Sequence, residues 1–298
     1  MFTTRTTVRQ GAGALADVLE TFQNILAQMS TVFEKILWKT GLKGPIPTPP
    51  VRLHPKGPYA NLHDLPRHQP TEIELFGHPF SVPDGPSFYW MHHEIFEEGA
   101  YAIKADTDHP VIIDCGGSYG VSTIYFKTRF PGAKLTVVEA DPSIFSILSS
   151  NTRPFNFEDV TLLNKAVAPM SGQTIEFYSL GADMGRIHAG SMDAPSVSIP
   201  TICLDDLITG KTNFLKIDIE GAETDAIKAC TKLNLVDQLF IEYHSFEDTD
   251  QTLGELLTIL KAHHFRYFIK TIYAPAKPFQ ERTSNFGMDL QLAIFATR

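Results

Sequence analysis

The sequence is short of cysteine and of basic residues, and it has no long apolar run. Its three cysteines form no C-x-x-C pair and lie scattered in apolar segments, which is typical of reduced core thiols in a cytoplasmic protein: Cys115, Cys203 and Cys230. The formal charge of −9 and the pI near 5.6 argue against a nucleic-acid-binding groove. Because no run of about 18 apolar residues and no signal-peptide pattern is present, we expect a soluble, unprocessed protein without membrane association.

The chain is predicted to divide into three parts. Residues 1–43 form an amphipathic helix in which apolar residues recur in steps of four and three: Leu15, Leu19, Phe22, Leu26, Met29, Phe33 and Ile36. This seam either packs on the rest of the chain or joins two copies as a homodimer. Residues 44–86 form a proline-rich linker and then a hairpin over 71–82. Residues 87–298 form the main domain, which is predicted to begin with a helix over 87–101.

The most informative stretch runs from Val111 to Gly120 (VIIDCGGSYG), where a buried strand ends in an acid and a glycine-rich turn. A helix is predicted to follow, so backbone N–H groups and a helix N-terminus should face an anionic or zwitterionic cofactor. A dinucleotide fingerprint needs G-x-G-x-x-G, and its first position falls on Cys115. The pattern that remains is D-x-G-x-x-x-G, formed by Asp114, Gly116 and Gly120.

A second acid, Glu139, ends the next buried strand (KLTVVE, 134–139). An acid at the end of the second strand of a βαβ unit is placed to accept both hydroxyl groups of a ribose. Further buried strands are predicted at 160–167, 213–220 and 238–243, and a strand near the C-terminus, at 290–296, is expected to run antiparallel. The pattern predicts an α/β domain with a mostly parallel sheet.

Three blocks together resemble the FkbM family of S-adenosylmethionine-dependent methyltransferases: DCGGSYG at 114–120, VEADP at 138–142 and LKIDIEGAE at 215–223. The resemblance runs from about Glu94 to the C-terminus. It implies the Rossmann-like class I methyltransferase fold, with a seven-stranded sheet and helices on both faces. It also implies S-adenosylmethionine as cofactor, and methyl transfer to a hydroxyl oxygen of a small-molecule or glycan acceptor.

The resemblance also assigns cofactor-binding residues in this sequence. Glu94 is expected to bind the methionine amino group, with a solvated helix carboxylate as the alternative, and Glu139 is expected to bind the ribose. Asn164 is expected at the adenine edge, with a plain polar residue at the strand end as the alternative. The full set is Glu94, Asp114, Gly116, Ser118, Gly120, Glu139, Ala140, Asn164 and Ala166.

Three polar side chains at the ends of the fourth and fifth strands are candidates for the acceptor chemistry. Asp218 should face the cofactor's methyl end, because ligands bind outside the carboxyl ends of parallel strands. Glu242 and His244 share one side if the strand continues, and His244 is expected to be the base. No metal is assigned, but two alternatives are that the three residues hold a divalent ion, or that His244 is a capped loop residue. Glu220 and Glu223 are expected to be mostly structural.

Other functions remain open from the sequence. An NAD-dependent Rossmann oxidoreductase shares the fold and the ribose acid, and a non-catalytic protein could retain the cofactor pocket. The stretch 181–195 (GADMGRIHAGSMDAP) is long for a plain connection, so we expect it to shape the substrate pocket.

Overall fold

The structure, a computed structural model, describes residues 55–179, 185–186 and 196–298. Its strands are β1 (Thr71–Leu75), β2 (His78–Val82), β3 (Val111–Cys115), β4 (Lys134–Glu139), β5 (Val160–Asn164), β6 (Ala166–Val167), β7 (Thr174–Ser179), β8 (Gly185–Arg186), β9 (Ser196–Ile202), β10 (Thr212–Ile217), β11 (Val236–Phe246), β12 (Arg266–Tyr273) and β13 (Met288–Thr297). Its α-helices are α1 (Gly85–His92), α2 (Val121–Arg129), α3 (Pro142–Thr152), α4 (Leu204–Leu207), α5 (Glu223–Ala229) and α6 (Leu253–Ala262). The helix predicted within residues 1–43 lies outside the described residues, as does nearly all of 181–195.

Seven strands form the central sheet, in the order β12-β13-β11-β10-β3-β4-β5. From β11 to β5 all neighbours run parallel, and β13 is antiparallel to both β11 and β12. This confirms the class I methyltransferase fold, with its antiparallel strand near the C-terminus. The chain builds outward from β3 to β5, then returns to place β10 on the other side of β3. This switch point opens a crevice at the carboxyl ends of β3 and β10.

Both faces of the sheet are covered, as the apolar runs predict. Successive residues alternate between two hydrophobic clusters. Ile112, Phe214 and Phe240 pack on one face, and Ile113, Leu215 and Ile241 pack on the other. Helices α2 and α3 cover the first face, while α5 and α6 cover the second. Because each central strand is packed on both faces, its carboxyl end is held in place, and so is the start of the loop that follows it.

The predicted hairpin over 71–82 is confirmed as β1 and β2, and it packs against α3. Asn151 accepts a hydrogen bond from Ser81 N at 2.8 Å and donates to Ser81 O and Tyr119 O, both at 2.9 Å. Phe80 lies in the same cluster as α2. One buried amide therefore joins the hairpin to the segment that carries the glycine turn.

Two elements differ from the sequence prediction. The strand predicted over 160–167 breaks at Lys165, whose N–H turns to bond Glu139 O at 3.2 Å, and β6 pairs instead with β9 in a separate sheet. The helix predicted over 87–101 becomes α1 followed by a π-helix, His93–Glu97. It stops because Gly99 takes a left-handed φ of 68°. None of the helices in the described ranges has the length and hydropathy to span a bilayer.

Candidate cofactor and active site

The turn between β3 and α2 is shaped by two glycines with left-handed backbone. Gly116 has φ +93°, and a Cβ there would lie 1.9 Å from Asp218 O; Gly120 has φ +104°. The loops after β3 and β10 touch here, which the missing side chain at Gly116 permits. Contrary to expectation, the N–H groups of Gly116 and Gly117 do not face the crevice freely, because both donate to Val138 O, at 2.8 and 3.0 Å.

Glu139 ends β4 beside this turn. Its two carboxylate oxygens accept hydrogen bonds from Ser118 N and Asp141 N, each at 2.9 Å. Burial raises the pKa of Glu139 to about 7, although these two N–H groups lower it. Ser118 itself is left-handed (φ 46°), and its Oγ is buried without a hydrogen-bond partner among the described residues. The carboxylate thus orders the turn, and each oxygen keeps a further lone pair.

Asn164 pairs with Glu139 across the sheet. Its Nδ2 donates to Glu139 O at 2.9 Å and to Ala140 O at 3.0 Å, so it holds the segment after β4 in place. Ala166 is 2% exposed and lies in a small cluster with Phe177, against which Ala140 packs. Asn164 and Ala140 therefore adjoin Glu139, while the Ala166 methyl group belongs to the small sheet.

Lys216, for which the sequence predicted no role, connects β3 with β10. Its Nζ is 3.3 Å from Asp114 Oδ1 and 3.2 Å from Asp218 Oδ2, and it donates to Gly116 O at 2.7 Å. Burial alone lowers the pKa of Lys216, but Asp114 and Asp218 raise it well above its usual value, so the ammonium stays charged. Asp114 also accepts from Ser122 Oγ at 2.6 Å. Asp114 Oδ2 is therefore hydrogen-bonded within the protein, whereas Oδ1 forms the ion pair with Lys216 but has no hydrogen-bond partner among the described residues.

Glu94 lies in the π-helix and faces the acids of the crevice. Burial, together with the nearby carboxylates of Glu242 and Asp218, raises the pKa of Glu94 to about 7. The Glu94 carboxyl group therefore belongs to the same electrostatic cluster as the candidate catalytic residues. A cationic group placed between these acids would be stabilised.

His244 lies within β11, where it pairs with Gln291, and its side chain is 1% exposed. It is therefore a buried strand residue and not a loop residue. Its Nδ1 is 3.1 Å from Glu223 Oε1, and its Nε2 is 3.6 Å from Glu242 Oε1 and 3.7 Å from Glu220 Oε2. Burial alone lowers the pKa of His244, but Glu220 and Glu223 raise it well above the usual value.

Glu220 and Glu223 contribute more to this site than the sequence indicated. Burial raises the pKa of Glu220 to about 8, partly offset by His244. Glu223 Oε1 accepts from Ile219 N at 3.1 Å and from Gly221 N at 3.0 Å, besides facing His244. Glu223 thus fixes both the loop after β10 and the histidine ring. The alternating acids of KIDIEGAE could have indicated a site here. The partner of Glu223, however, is His244, which lies 21 residues away in sequence.

The known proteins that this chain resembles are described as methyltransferases. The model of the methyltransferase FkbM domain matches residues 114–267, just over half of the chain. Methyltransferase 1 of Beauveria bassiana (strain ARSEF 2860) is 23% identical over 186 residues, which cover 51% of this chain and 72% of that relative. Methyltransferase sdnD of Sordaria araneosa is 32% identical over 62 residues, covering 21% of this chain and 24% of that relative. Among solved structures, methyltransferase FkbM of Methylobacillus flagellatus KT is 21% identical with a TM-score of 0.41, covering 67% of this chain and 46% of that one.

Proposed function

The chain belongs to the FkbM methyltransferase family, and from this we propose that it transfers a methyl group from S-adenosylmethionine to a hydroxyl oxygen of a small-molecule or glycan acceptor. The observation that carries the proposal is one shared crevice. The glycine turn, the ribose acid Glu139 and the acids after β10 and in β11 are all at the carboxyl ends of adjacent strands.

The residues at the glycine turn fit this cofactor. The absent side chain at Gly116 lets the loops after β3 and β10 approach each other closely, where a Cβ would collide with Asp218 O. Glu139 offers free lone pairs for ribose hydroxyls, and the buried Ser118 Oγ has no bonding partner among the described residues. Glu94 would accept from the methionine amino group. Asn164 and Ala140 would border the adenine.

The chemistry requires alignment and a destination for the acceptor's proton. When bound, the cofactor supplies a methyl group already activated on a sulfonium. Asp218 and Glu242 would bind the acceptor hydroxyl and orient its oxygen, and a carboxylate would take the proton. His244, whose Nε2 is 3.6 Å from Glu242, would hold that carboxylate in place. The role of His244 as the base stays a proposal from the sequence.

The test is product analysis with S-adenosylmethionine that carries a deuterated methyl group. The full chain is incubated with a panel of hydroxyl-bearing small molecules and glycans, and products are located by mass spectrometry and fragmentation. We expect labelled methyl groups on oxygen, and much less label with the Glu139→Ala protein at the same low cofactor concentration. Label on nitrogen refutes the acceptor class. Cofactor binding without transfer to any acceptor favours a non-catalytic protein, and tight binding of NAD refutes the cofactor assignment.

A further inference from the structure

The carboxyl end of the crevice contains three side chains with the chemistry of a metal centre. One ligand atom from each of Asp218, Glu242 and His244 lies within 4.8 Å of the other two. Ligand atoms on opposite sides of an ion with bonds of about 2.1 Å lie about 4.2 Å apart. Small side-chain rotations would therefore bring all three onto one ion.

The histidine ring is already oriented for coordination. Glu223 faces Nδ1 at 3.1 Å, so Nδ1 carries a proton and Nε2 points toward Glu242. Glu223 is itself 1% exposed and held by two backbone N–H groups. A carboxylate that fixes the far nitrogen of a ligand histidine is the usual second layer of a metal site. In the same way, Gln291 Nε2 donates to Glu242 Oε1 at 2.6 Å and positions that carboxylate.

The local charge also favours a cation. In the described part of the chain, the crevice brings six carboxyl groups around two basic groups. The acids are Glu94, Asp114, Asp218, Glu220, Glu223 and Glu242, and the bases are Lys216 and His244. Lys216 is placed between Asp114 and Asp218, at the other end of the group. The carboxylates of Glu220 and Glu242 are left around Nε2, and their repulsion would be reduced by a divalent ion.

We propose that Asp218, Glu242 and His244 bind a divalent metal ion, with Glu223 as the residue that positions the histidine. Carboxylates suit Mg²⁺ and Mn²⁺, and imidazole suits later transition metals, so Mn²⁺ matches the mixed set best among common ions of this charge. Metal binding is argued from the three side chains alone. The role of the ion in catalysis rests on the proposed methyl transfer to a hydroxyl group. A hydroxyl group bound to the ion would lose its proton more readily.

The experiment measures Mn²⁺ binding directly. The full chain is treated with EDTA, exchanged into metal-free buffer and titrated with Mn²⁺, and free Mn²⁺ is followed by electron paramagnetic resonance. We expect one bound ion per chain. His244→Ala and Glu242→Gln should each weaken binding by at least about 100-fold, and Glu223→Gln by about 10-fold to 100-fold, the range for a second-layer residue. Asp218→Asn, at a side chain 24% exposed, serves as a further ligand variant in case a buried substitution impairs folding.

Matched controls separate the site from non-specific binding. His263→Ala and Glu281→Gln change the same residue types outside the crevice and should bind Mn²⁺ as the unmodified chain does. Far-ultraviolet circular dichroism, measured on every variant, identifies those that are folded. No bound Mn²⁺ in the unmodified chain, or unchanged affinity in folded Asp218→Asn and Glu242→Gln proteins, overturns the metal site and leaves methyl transfer untouched. Bound Mn²⁺ with no methyl transfer supports the metal site and counts against the proposed function instead.

Discussion

Glu139 is the residue whose substitution should test the cofactor site most directly. The carboxylate has two functions in the proposed complex: it accepts from Ser118 N and Asp141 N, and it would accept from the ribose hydroxyls. Glu139→Ala removes all of these acceptors. Glu139→Gln keeps the shape but offers one oxygen and one NH₂ group, so one of the two backbone N–H groups faces a donor.

The magnitude follows from these contacts. Losing charge-assisted hydrogen bonds to two ribose hydroxyls should weaken S-adenosylmethionine binding by about 2 to 4 kcal/mol in Glu139→Ala. At about 1.4 kcal/mol per tenfold, this is a loss of about 30-fold to 10³-fold in affinity. The two partly buried N–H groups that lose their acceptor should also lower the free energy of unfolding, by about 1 kcal/mol each.

The pH dependence has a defined sign. Burial raises the pKa of Glu139 to about 7 from its ordinary 4.5, so the folded protein binds more protons than the unfolded chain between these values. The contribution of Glu139 to stability therefore falls as pH rises through this window. Ribose hydroxyls donate to the ionised carboxylate, so binding should lower the pKa. Cofactor affinity should then rise across about pH 6 to 8, by at most about tenfold per pH unit for this group.

Calorimetry at several pH values checks both statements. Glu139→Gln should flatten the dependence that Glu139 causes. Glu94, whose pKa burial also raises to about 7, adds a dependence of the same sign, and Glu94→Gln removes it separately. Unchanged affinity in Glu139→Ala, or affinity that falls from pH 6 to 8 (about one unit on either side of the raised pKa), would refute the reasoning.

Three further outcomes are expected. His244→Ala should lower turnover by about 10²-fold to 10⁴-fold and leave cofactor affinity nearly unchanged, and normal turnover removes His244 from the mechanism. Gly116→Ala should abolish cofactor binding, because its Cβ would lie 1.9 Å from Asp218 O. Gly172→Ala is the control, because Gly172 also has a left-handed φ (+74°) but a Cβ there would have no atom within 4 Å. This variant has the same backbone strain without a collision and should bind the cofactor normally. Removing the residues before Gly44 should convert a dimer to a monomer in light scattering with cofactor binding retained, and a truncated protein that stays dimeric contradicts the N-terminal dimer.

Much of the sheet could be predicted because its signals are local. The apolar runs at 111–113 and 134–138 and the turn at Gly116 mark buried strands and their ends within a few residues. Asp141 before Pro142 marks the start of α3, and in the structure Asp141 accepts from Ser143 N at 2.8 Å. The longer extent of β11 was not predicted, because pairing with β13 carries the strand past Tyr243 to Phe246.

The sequence by itself determined the strand and helix periods, the glycine turn and the acid that ends β4, because each depends on neighbouring residues. Only the tertiary structure decided which ionisable side chains lie close enough to interact. Lys216 meets Asp114 across 102 positions because β10 lies beside β3, and His244 meets Glu223 because β11 lies beside β10. Burial among those partners then sets the protonation of His244. Pairing and burial depend on strand register and depth in the fold, and neither is encoded in the spacing of residues along the chain.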